Sequence, residues 1–298
     1  MSDVPSAPST APSSGSTPAG SVAQALAEAR ALGLDRIDAH LLLSHHLGQP
    51  RAWLIAHDDA TVPAPAAEAY RGDCARRAAG VPVAYLLGER EFHGLRLRVT
   101  PDVLVPRPDT ETLVDWAIEL ARARPDPALE LLDLGTGSGT IVLALADALR
   151  GRSPTARCMA TDLSPAALAV ARDNTLRLGL SVDFRQGAWW AALPAQQRFD
   201  LVVSNPPYIR EADPHLPALR HEPSMALSSG ADGLDALREI VSGAGRHLLP
   251  GGWLLLEHGW DQAREVAGLL QAAGFTDVQT RLDIESRPRC TGGRCPAS

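Results

Sequence analysis

A chain of 298 residues, 45% hydrophobic with a formal net charge of −7, has enough apolar material for one large domain and a small companion. No apolar run approaches the ~18 residues that a bilayer-spanning helix needs, so no membrane association is expected, and the acidic balance argues against gathering nucleic acid by counterion release. All 28 lysine-plus-arginine positions are arginine, and the four cysteines, Cys74, Cys158, Cys290 and Cys295, are too scattered for a disulfide framework, which points to the cytoplasm.

Residues 1–20 are mostly Ser, Pro, Ala, Thr and Gly, without the basic start and apolar centre of a signal peptide, and read as a disordered tail. From Ser21 the pattern turns helical. Val22, Ala25, Leu26 and Ala29 share one face, Ile37, Leu41, Leu42 and Leu47 form a second run ended by Gly48, and residues 63–79 form a third between Pro63 and Gly80. Residues 21–88 thus read as a small helical bundle. His45 and His46 stand about 100° apart around their helix and do not suit one metal. Cys290 and Cys295 lack a second pair at zinc spacing. No metal site is expected.

Residues 89–106 read as an interdomain hairpin and linker, with Phe92, Leu95, Leu97, Val99 and Val103 alternating around Gly94 and Pro101. In 107–298, apolar runs at 129–134, 157–161, 181–185, 199–203 and 252–257 alternate with helix-length segments, the signature of a mostly parallel α/β sheet. The runs are almost wholly apolar instead of alternating, so helices are expected on both faces and ligands belong at the carboxyl ends of the strands.

Three motifs stand at those ends. Asp133-Leu134-Gly135-Thr136-Gly137-Ser138-Gly139 is a strand followed by a glycine turn with G-x-G-x-G spacing. That differs from the dinucleotide pattern, whose third glycine packs the helix, and suits a nucleoside without phosphates. Asp162 ends the next strand, where a carboxylate can accept both hydroxyls of a ribose; Ser164-Pro165 already supplies the helix cap. Trp189 and Trp190 follow the third strand and cannot both point one way, so Trp189 is the candidate cover for an adenine ring and Trp190 core filler. Glu257-His258 ends the fifth strand and reads as packing or loop support.

Asn205-Pro206-Pro207-Tyr208 follows the fourth strand. Two prolines remove two N–H donors and fix φ, leaving a stiff loop that offers the Asn205 side-chain oxygen and the Pro206 carbonyl as acceptors. A planar NH₂, whose lone pair is delocalised, becomes nucleophilic when two acceptors hold it in position before a methyl donor, with Tyr208 packed on the planar group. The residues read as an S-adenosylmethionine (AdoMet) methyltransferase acting on a planar amine or amide nitrogen.

The stretches P-V-A-Y-L-L-G-E-R-E-F at 82–92, P-R-P-D-T-E at 106–111, the glycine turn, S-N-P-P-Y at 204–208 and L-L-L-E-H-G at 254–259 resemble the peptide chain release factor glutamine methyltransferases (PrmC/HemK), over about 21–295. The resemblance implies a class I fold: a Rossmann-like, mostly parallel seven-stranded sheet with a small N-terminal helical domain that docks the protein substrate. It implies a monomer that methylates the glutamine of the Gly-Gly-Gln motif of class 1 release factors and has no direct nucleic-acid partner. AdoMet contacts carry over to Gly135, Thr136, Gly137, Ser138, Gly139, Asp162, Trp189 and Asn205, and glutamine contacts to Asn205, Pro206, Pro207 and Tyr208, with Asn205, Pro206 and Tyr208 as the catalytic set. Residues 106–111 read as a turn and helix cap, and as a lid over the methionine end of AdoMet. Ala188 departs from relatives, which commonly carry an acidic residue there. Two alternatives share these motifs: a methyltransferase acting on an exocyclic base amine of rRNA or DNA, and a non-catalytic AdoMet-binding module.

Overall fold

The computed structural model describes residues 20–124, 128–151 and 156–296; residues 1–19 of the expected tail lie outside them. The chain divides between Leu86 and Leu87 into two units.

In the first unit, helix α1 (Val22–Ala31) opens on a capping box between Ser21 and Gln24. Helix α2 (Arg36–Leu47) runs from the Asp35 cap to Gly48 in the left-handed conformation. Short α3 (Arg51–Ala56), long α4 (Ala64–Ala78) and α5 (Val83–Leu87) follow. Val22, Ala29, Leu42, Leu43, Leu54 and Tyr70 form the core. The expected face of α2 is corrected: Ile37 and Leu41 are 56% and 43% exposed, whereas Ala39, Leu42 and Leu43 are buried. Three consecutive leucines at 41–43 let the apolar stripe be drawn one position off, and packing against α1 and α4 selects the other. His46 Nε2 lies 2.9 Å from Asp73 Oδ2, while its neighbour His45 is exposed.

The second unit begins with the hairpin β1 (Glu89–Phe92) and β2 (Leu95–Arg98). His93 and Gly94 both take positive φ, 48° and 77°, the twist that a two-residue hairpin turn demands. The stretch expected as a linker inserts Phe92 and Leu97 into this unit's core. Helix α6 (Glu111–Ala123) then precedes a βα alternation: β3 (Glu130–Leu134), α7 (Thr140–Leu149), β4 (Arg157–Asp162), α8 (Pro165–Leu178), β5 (Asp183–Gln186), β6 (Phe199–Ser204), α9 (Asp235–Ala244), β7 (Leu248–Glu257) and α10 (Ala263–Ala272). Two further strands, β8 (Thr276–Leu282) and β9 (Pro288–Arg294), complete a seven-stranded sheet in the order β5-β4-β3-β6-β7-β9-β8. The first five are parallel, and β9 runs antiparallel to both β7 and β8.

Side chains alternate between two cores, as period-two geometry requires. Leu131, Val203 and Leu255 face α6 and α7, whereas Leu132, Val202, Leu254 and Leu256 face α9 and α10. Strand order reverses at β3, with β4 on one side and β6 on the other, so a crevice opens at their carboxyl ends. No helix among the described residues is long and apolar enough to cross a membrane.

The inserted strand β9 depends on having no side chain at Gly292, where a Cβ would fall 2.4 Å from Leu255 Cδ2, 2.9 Å from the Leu254 carbonyl and 2.9 Å from the Trp116 ring. Because backbone cannot yield as a side-chain tip can, Gly292→Ala is expected to cost about 1–3 kcal/mol through overpacking, read as a lower urea midpoint at unchanged m-value. An unchanged midpoint would show that β9 is not wedged between β7 and α6 as described.

Candidate active site

The turn after β3 is tied to the end of β4. The N–H groups of Gly135 and Thr136 both donate to the Thr161 carbonyl at 2.9 Å, and Gly137 N–H donates to Asp162 Oδ2 at 2.8 Å. This path requires φ of 72° at Gly135 and 57° at Gly137, the region glycine enters without strain. A Cβ on Gly135 would lie 3.0 Å from the Trp189 ring, and one on Gly137 would meet nothing within 4 Å. Gly139 differs: its Cβ would lie 2.8 Å from Leu143 Cδ1 and 3.4 Å from Ala171 Cβ. It packs α7 against α8 and is absent from the cleft lining, so the third glycine of this shorter motif has the packing role that spacing alone assigned to the dinucleotide pattern.

Asp162 lines the cleft, its Oδ1 accepting the Ser164 N–H at 2.9 Å. Each carboxylate oxygen therefore spends one lone pair on backbone and keeps another. Burial raises its pKa against the lowering pull of the Ser164 and Gly137 N–H groups. Asp133, the last acidic residue of β3, is fully buried behind the turn. Its Oδ2 accepts from the Thr136 hydroxyl at 2.6 Å and from Val142 N–H at 3.3 Å, its Oδ1 has no partner among the described residues, and burial pushes it up to about 7.

The two tryptophans part company. Trp189 lines the cleft and takes a φ of 41°, rare for a bulky residue. Trp190 donates its indole N–H to the Ile240 carbonyl at 3.0 Å and stacks on His247 with ring centroids 5.1 Å apart. Space for it comes from Gly243, where a Cβ would fall 2.2 Å from Trp190 Cδ1.

At the end of β6 the Ser204 hydroxyl donates to the Leu134 carbonyl at 2.7 Å, placing the following loop beside the glycine turn. Asn205 and Pro207 line the same cleft as Gly135, Thr136, Gly137 and Ser138. Asn205 Nδ2 donates to Thr110 Oγ1 at 3.3 Å, and neither Asn205 Oδ1 nor the Pro206 carbonyl accepts a hydrogen bond among the described residues. Pro206 and Tyr208 are not on the cleft wall. Pro206 is buried, and Tyr208 packs on the apolar core with its hydroxyl donating to Glu257 Oε1 at 3.3 Å. Gln262 props the loop from outside, donating to the Tyr208 carbonyl at 3.0 Å.

Three residues outside the sequence-derived set complete the site. Thr110, expected as a helix cap, makes no cap hydrogen bond and faces Asn205 instead. Glu222 is buried, accepting Val105 N–H at 3.0 Å and Arg107 at 2.5 Å; it ties the wall formed by Val105, Pro106 and Arg107 to the one formed by Pro223, Met225 and Ala226. Glu257, expected as loop support, sits below Tyr208 and is pushed by burial to about 7. The polarity of residues 106–111 was the available signal for Thr110; nothing local marks Glu222.

A family model described as the PrmC N-terminal domain matches residues 21–88, and one described as a methyltransferase domain matches 125–275. The release factor glutamine methyltransferase of Bordetella pertussis is 51% identical over 88% of this chain and 95% of its own length. That of Xylella fastidiosa is 50% identical over 88% and 94%. The T. thermophilus 16S rRNA N2 G1207 methyltransferase, solved with AdoMet and guanosine, shares the fold at a TM-score of 0.50 and 20% identity, over 69% of this chain and 49% of its own.

The neutral burial of Asp133 sets a pH dependence. Its native carboxyl holds a proton to about 7, whereas an unfolded aspartate releases it near 3.8. The associated stability is complete below the unfolded value and lost as pH rises through the native one; Glu257, raised from 4.5 to about 7, acts in the same direction. Between about pH 5 and about pH 8 the melting temperature should fall, and fall less in Asp133→Asn. An equally steep fall in the variant would place the effect elsewhere.

Proposed function

The chain belongs to the release factor glutamine methyltransferase family, and from that premise we propose that it methylates the side-chain amide nitrogen of the glutamine in the Gly-Gly-Gln motif of class 1 peptide chain release factors, with AdoMet as donor. The observation that carries this reading is Asn205, on the wall of a glycine-turn cleft with its Oδ1 unspent among the described residues, next to the Pro206 carbonyl, likewise unspent just behind that wall.

The cleft suits AdoMet. Asp162 keeps one lone pair on each oxygen for the two hydroxyls of a ribose, and Trp189 offers a flat surface against the Cβ-less Gly135. Arg107, a cation on the wall, is engaged by Glu222 and so is not free to hold a phosphate. Asp133, buried behind the glycine turn, supports it from below through the Thr136 hydroxyl and the Val142 N–H. Thr136 and Ser138 complete the turn around the ligand.

Bound AdoMet supplies an electrophilic methyl group. The chain's own residues prepare the acceptor: Asn205 Oδ1 takes one amide N–H and the Pro206 carbonyl the other, which directs the nitrogen lone pair into the cleft. Pro207 keeps the loop stiff, and Tyr208, anchored by Glu257, braces the loop from the core side. No strong base is required, because an amide nitrogen that gains an alkyl group becomes acidic enough to release its proton to water. The N-terminal helical unit serves to dock the release factor, and the protein works as a cytoplasmic monomer.

Incubation with methyl-labelled AdoMet and, in turn, release factor, rRNA and duplex DNA is expected to label the release factor alone; label confined to nucleic acid would overturn the assignment. Asn205→Ala should lower kcat by about 10²–10³, the usual loss for one oriented polar group at a reacting centre, while Asp162→Ala should chiefly weaken AdoMet binding in calorimetry. Near-normal turnover of Asn205→Ala would refute the amide clamp.

A further inference from the structure

The Asn205–Tyr208 loop is held at both ends by groups that do not reach the cleft. At its start the Ser204 hydroxyl donates to the Leu134 carbonyl at 2.7 Å. At its end one peptide unit, between Tyr208 and Ile209, is gripped on two edges: Gln262 Nε2 donates to the Tyr208 carbonyl at 3.0 Å, and the Ile209 N–H donates to the Leu227 carbonyl at 2.9 Å. The Tyr208 carbonyl accepts from no other group among the described residues.

Gln262 stands just before α10, is 4% exposed and is absent from the cleft wall. Its side-chain oxygen accepts the Gly259 N–H at 2.8 Å, and its Nε2 also reaches the Asp232 carbonyl at 3.4 Å. These partners decide which end of the amide is which, because two carbonyl oxygens can face only an NH₂ and an N–H can face only an oxygen. Gly259 is secured in turn: its carbonyl accepts His258 Nδ1 at 2.8 Å, and His258 Nε2 lies 2.7 Å from Thr291 Oγ1 on β9. Gly233, at a φ of 78°, leaves room for the contact, since a Cβ there would overlap the Tyr208 carbonyl oxygen and lie 2.8 Å from Gln262 Nε2. Of the ionisable groups on the segments that meet Gln262, Asp232 is paired with Arg238, Asp261 with Arg210 and Tyr208 with Glu257.

We infer that Gln262 is a positioning residue for methyl transfer: by holding the Tyr208 carbonyl, it fixes the direction in which the Pro206 carbonyl is presented to the acceptor nitrogen. The inference rests on the amide-clamp reading above. Both prolines have φ locked at about −65°, so little torsional freedom separates the Pro206 carbonyl from the gripped peptide. Released at its carbonyl edge, that peptide can rock about its remaining N–H bond. A stiff Pro-Pro segment passes such motion on to the Pro206 carbonyl instead of absorbing it.

The test is steady-state kinetics of the full chain with release factor and AdoMet, for Gln262→Met and Gln262→Glu against wild type at each pH from about 5.5 to about 8.5, with AdoMet affinity measured by calorimetry. Gln262→Met keeps the volume and removes the donor. Its kcat should fall about tenfold, the usual effect of one lost neutral hydrogen bond, with KM for release factor and AdoMet affinity within about twofold of wild type and a ratio to wild type that is level with pH. Gln262→Glu is isosteric but conditional. Ionised, it sets oxygen against the Tyr208 and Asp232 carbonyls; protonated, its O–H donates where Nε2 did while the other oxygen still takes the Gly259 N–H. Burial beside two carbonyl oxygens raises that carboxyl's pKa, so its kcat relative to wild type should climb several-fold as pH falls across the range. Near-normal kcat in Gln262→Met, a loss of AdoMet affinity that matches the loss of kcat, or a Gln262→Glu ratio level with pH would overturn the inference; if Gln262→Glu does not fold, Gln262→Met alone decides through its split between kcat and binding. Failure of the clamp itself reads differently, as turnover persisting in Asn205→Ala.

Discussion

The site depends on the register of three parallel strands. Leu134 on β3 pairs with Thr161 on β4 and with Ser204 on β6, so the glycine turn, Asp162 and Asn205 leave the sheet at one level. A slip of one residue would turn each strand's inward side chains outward and carry one motif away from the others. Side-chain and loop bonds fix that level: Ser204 Oγ to the Leu134 carbonyl on one side, and Gly135 and Thr136 N–H to the Thr161 carbonyl on the other. The full burial of Leu131, Leu132, Val202 and Val203 makes the register costly to change, and the Asn205–Tyr208 loop inherits its position from this packing.

Against that apolar background the site holds three carboxyls with pKa values raised by desolvation, Asp133 and Glu257 fully buried and Asp162 half-buried on the cleft wall. Two of them keep an oxygen without a partner, Asp133 Oδ1 and Glu257 Oε2. Apolar residues of similar volume would stabilise the fold more, so retaining these groups opposes stability and is the pattern expected where a site is tuned for chemistry. Asp162 lines the cleft, and Asp133 lies buried behind its glycine turn. Glu257 lies behind the Asn205–Tyr208 loop and accepts the Tyr208 hydroxyl.

Legibility in the sequence followed burial. The inner parallel strands β3, β4, β6 and β7 read directly because most of their positions are apolar and buried, and the edge strand β5 read less from its own residues, Asp183–Gln186, than from its place in the alternation. The last two strands were not legible. β8, Thr276–Leu282, is mostly exposed and polar, and β9 carries Gly292 and Gly293, which look like a turn. Those glycines are there because Leu255 and Trp116 fill the space beside the first and Phe275 and Val278 the space beside the second, a constraint that exists only after folding. Asn205, Asp162 and Trp189 were readable from their place after strands. Glu257 was not, since an acid ending an apolar strand ordinarily meets solvent, and its partner Tyr208 arrives from 49 residues away.

The same geometry separates chemistry from specificity. In the proposed clamp, Asn205 Oδ1 and the Pro206 carbonyl would meet two N–H groups on a planar nitrogen, a feature shared by a glutamine amide and an exocyclic base amine, so the loop would carry little information about which molecule bears the nitrogen. Discrimination must come from surfaces that touch the rest of the substrate. In the catalytic unit these are the walls that Glu222 joins, Val105 to Arg107 on one side and Pro223 to Ala226 on the other. One buried carboxylate holding both walls couples the shape of the cleft's mouth to the loop leading into Thr110, the residue that contacts Asn205. Residues 105–110 therefore join the Glu222-held walls to Asn205, which makes that short stretch more than a helix cap.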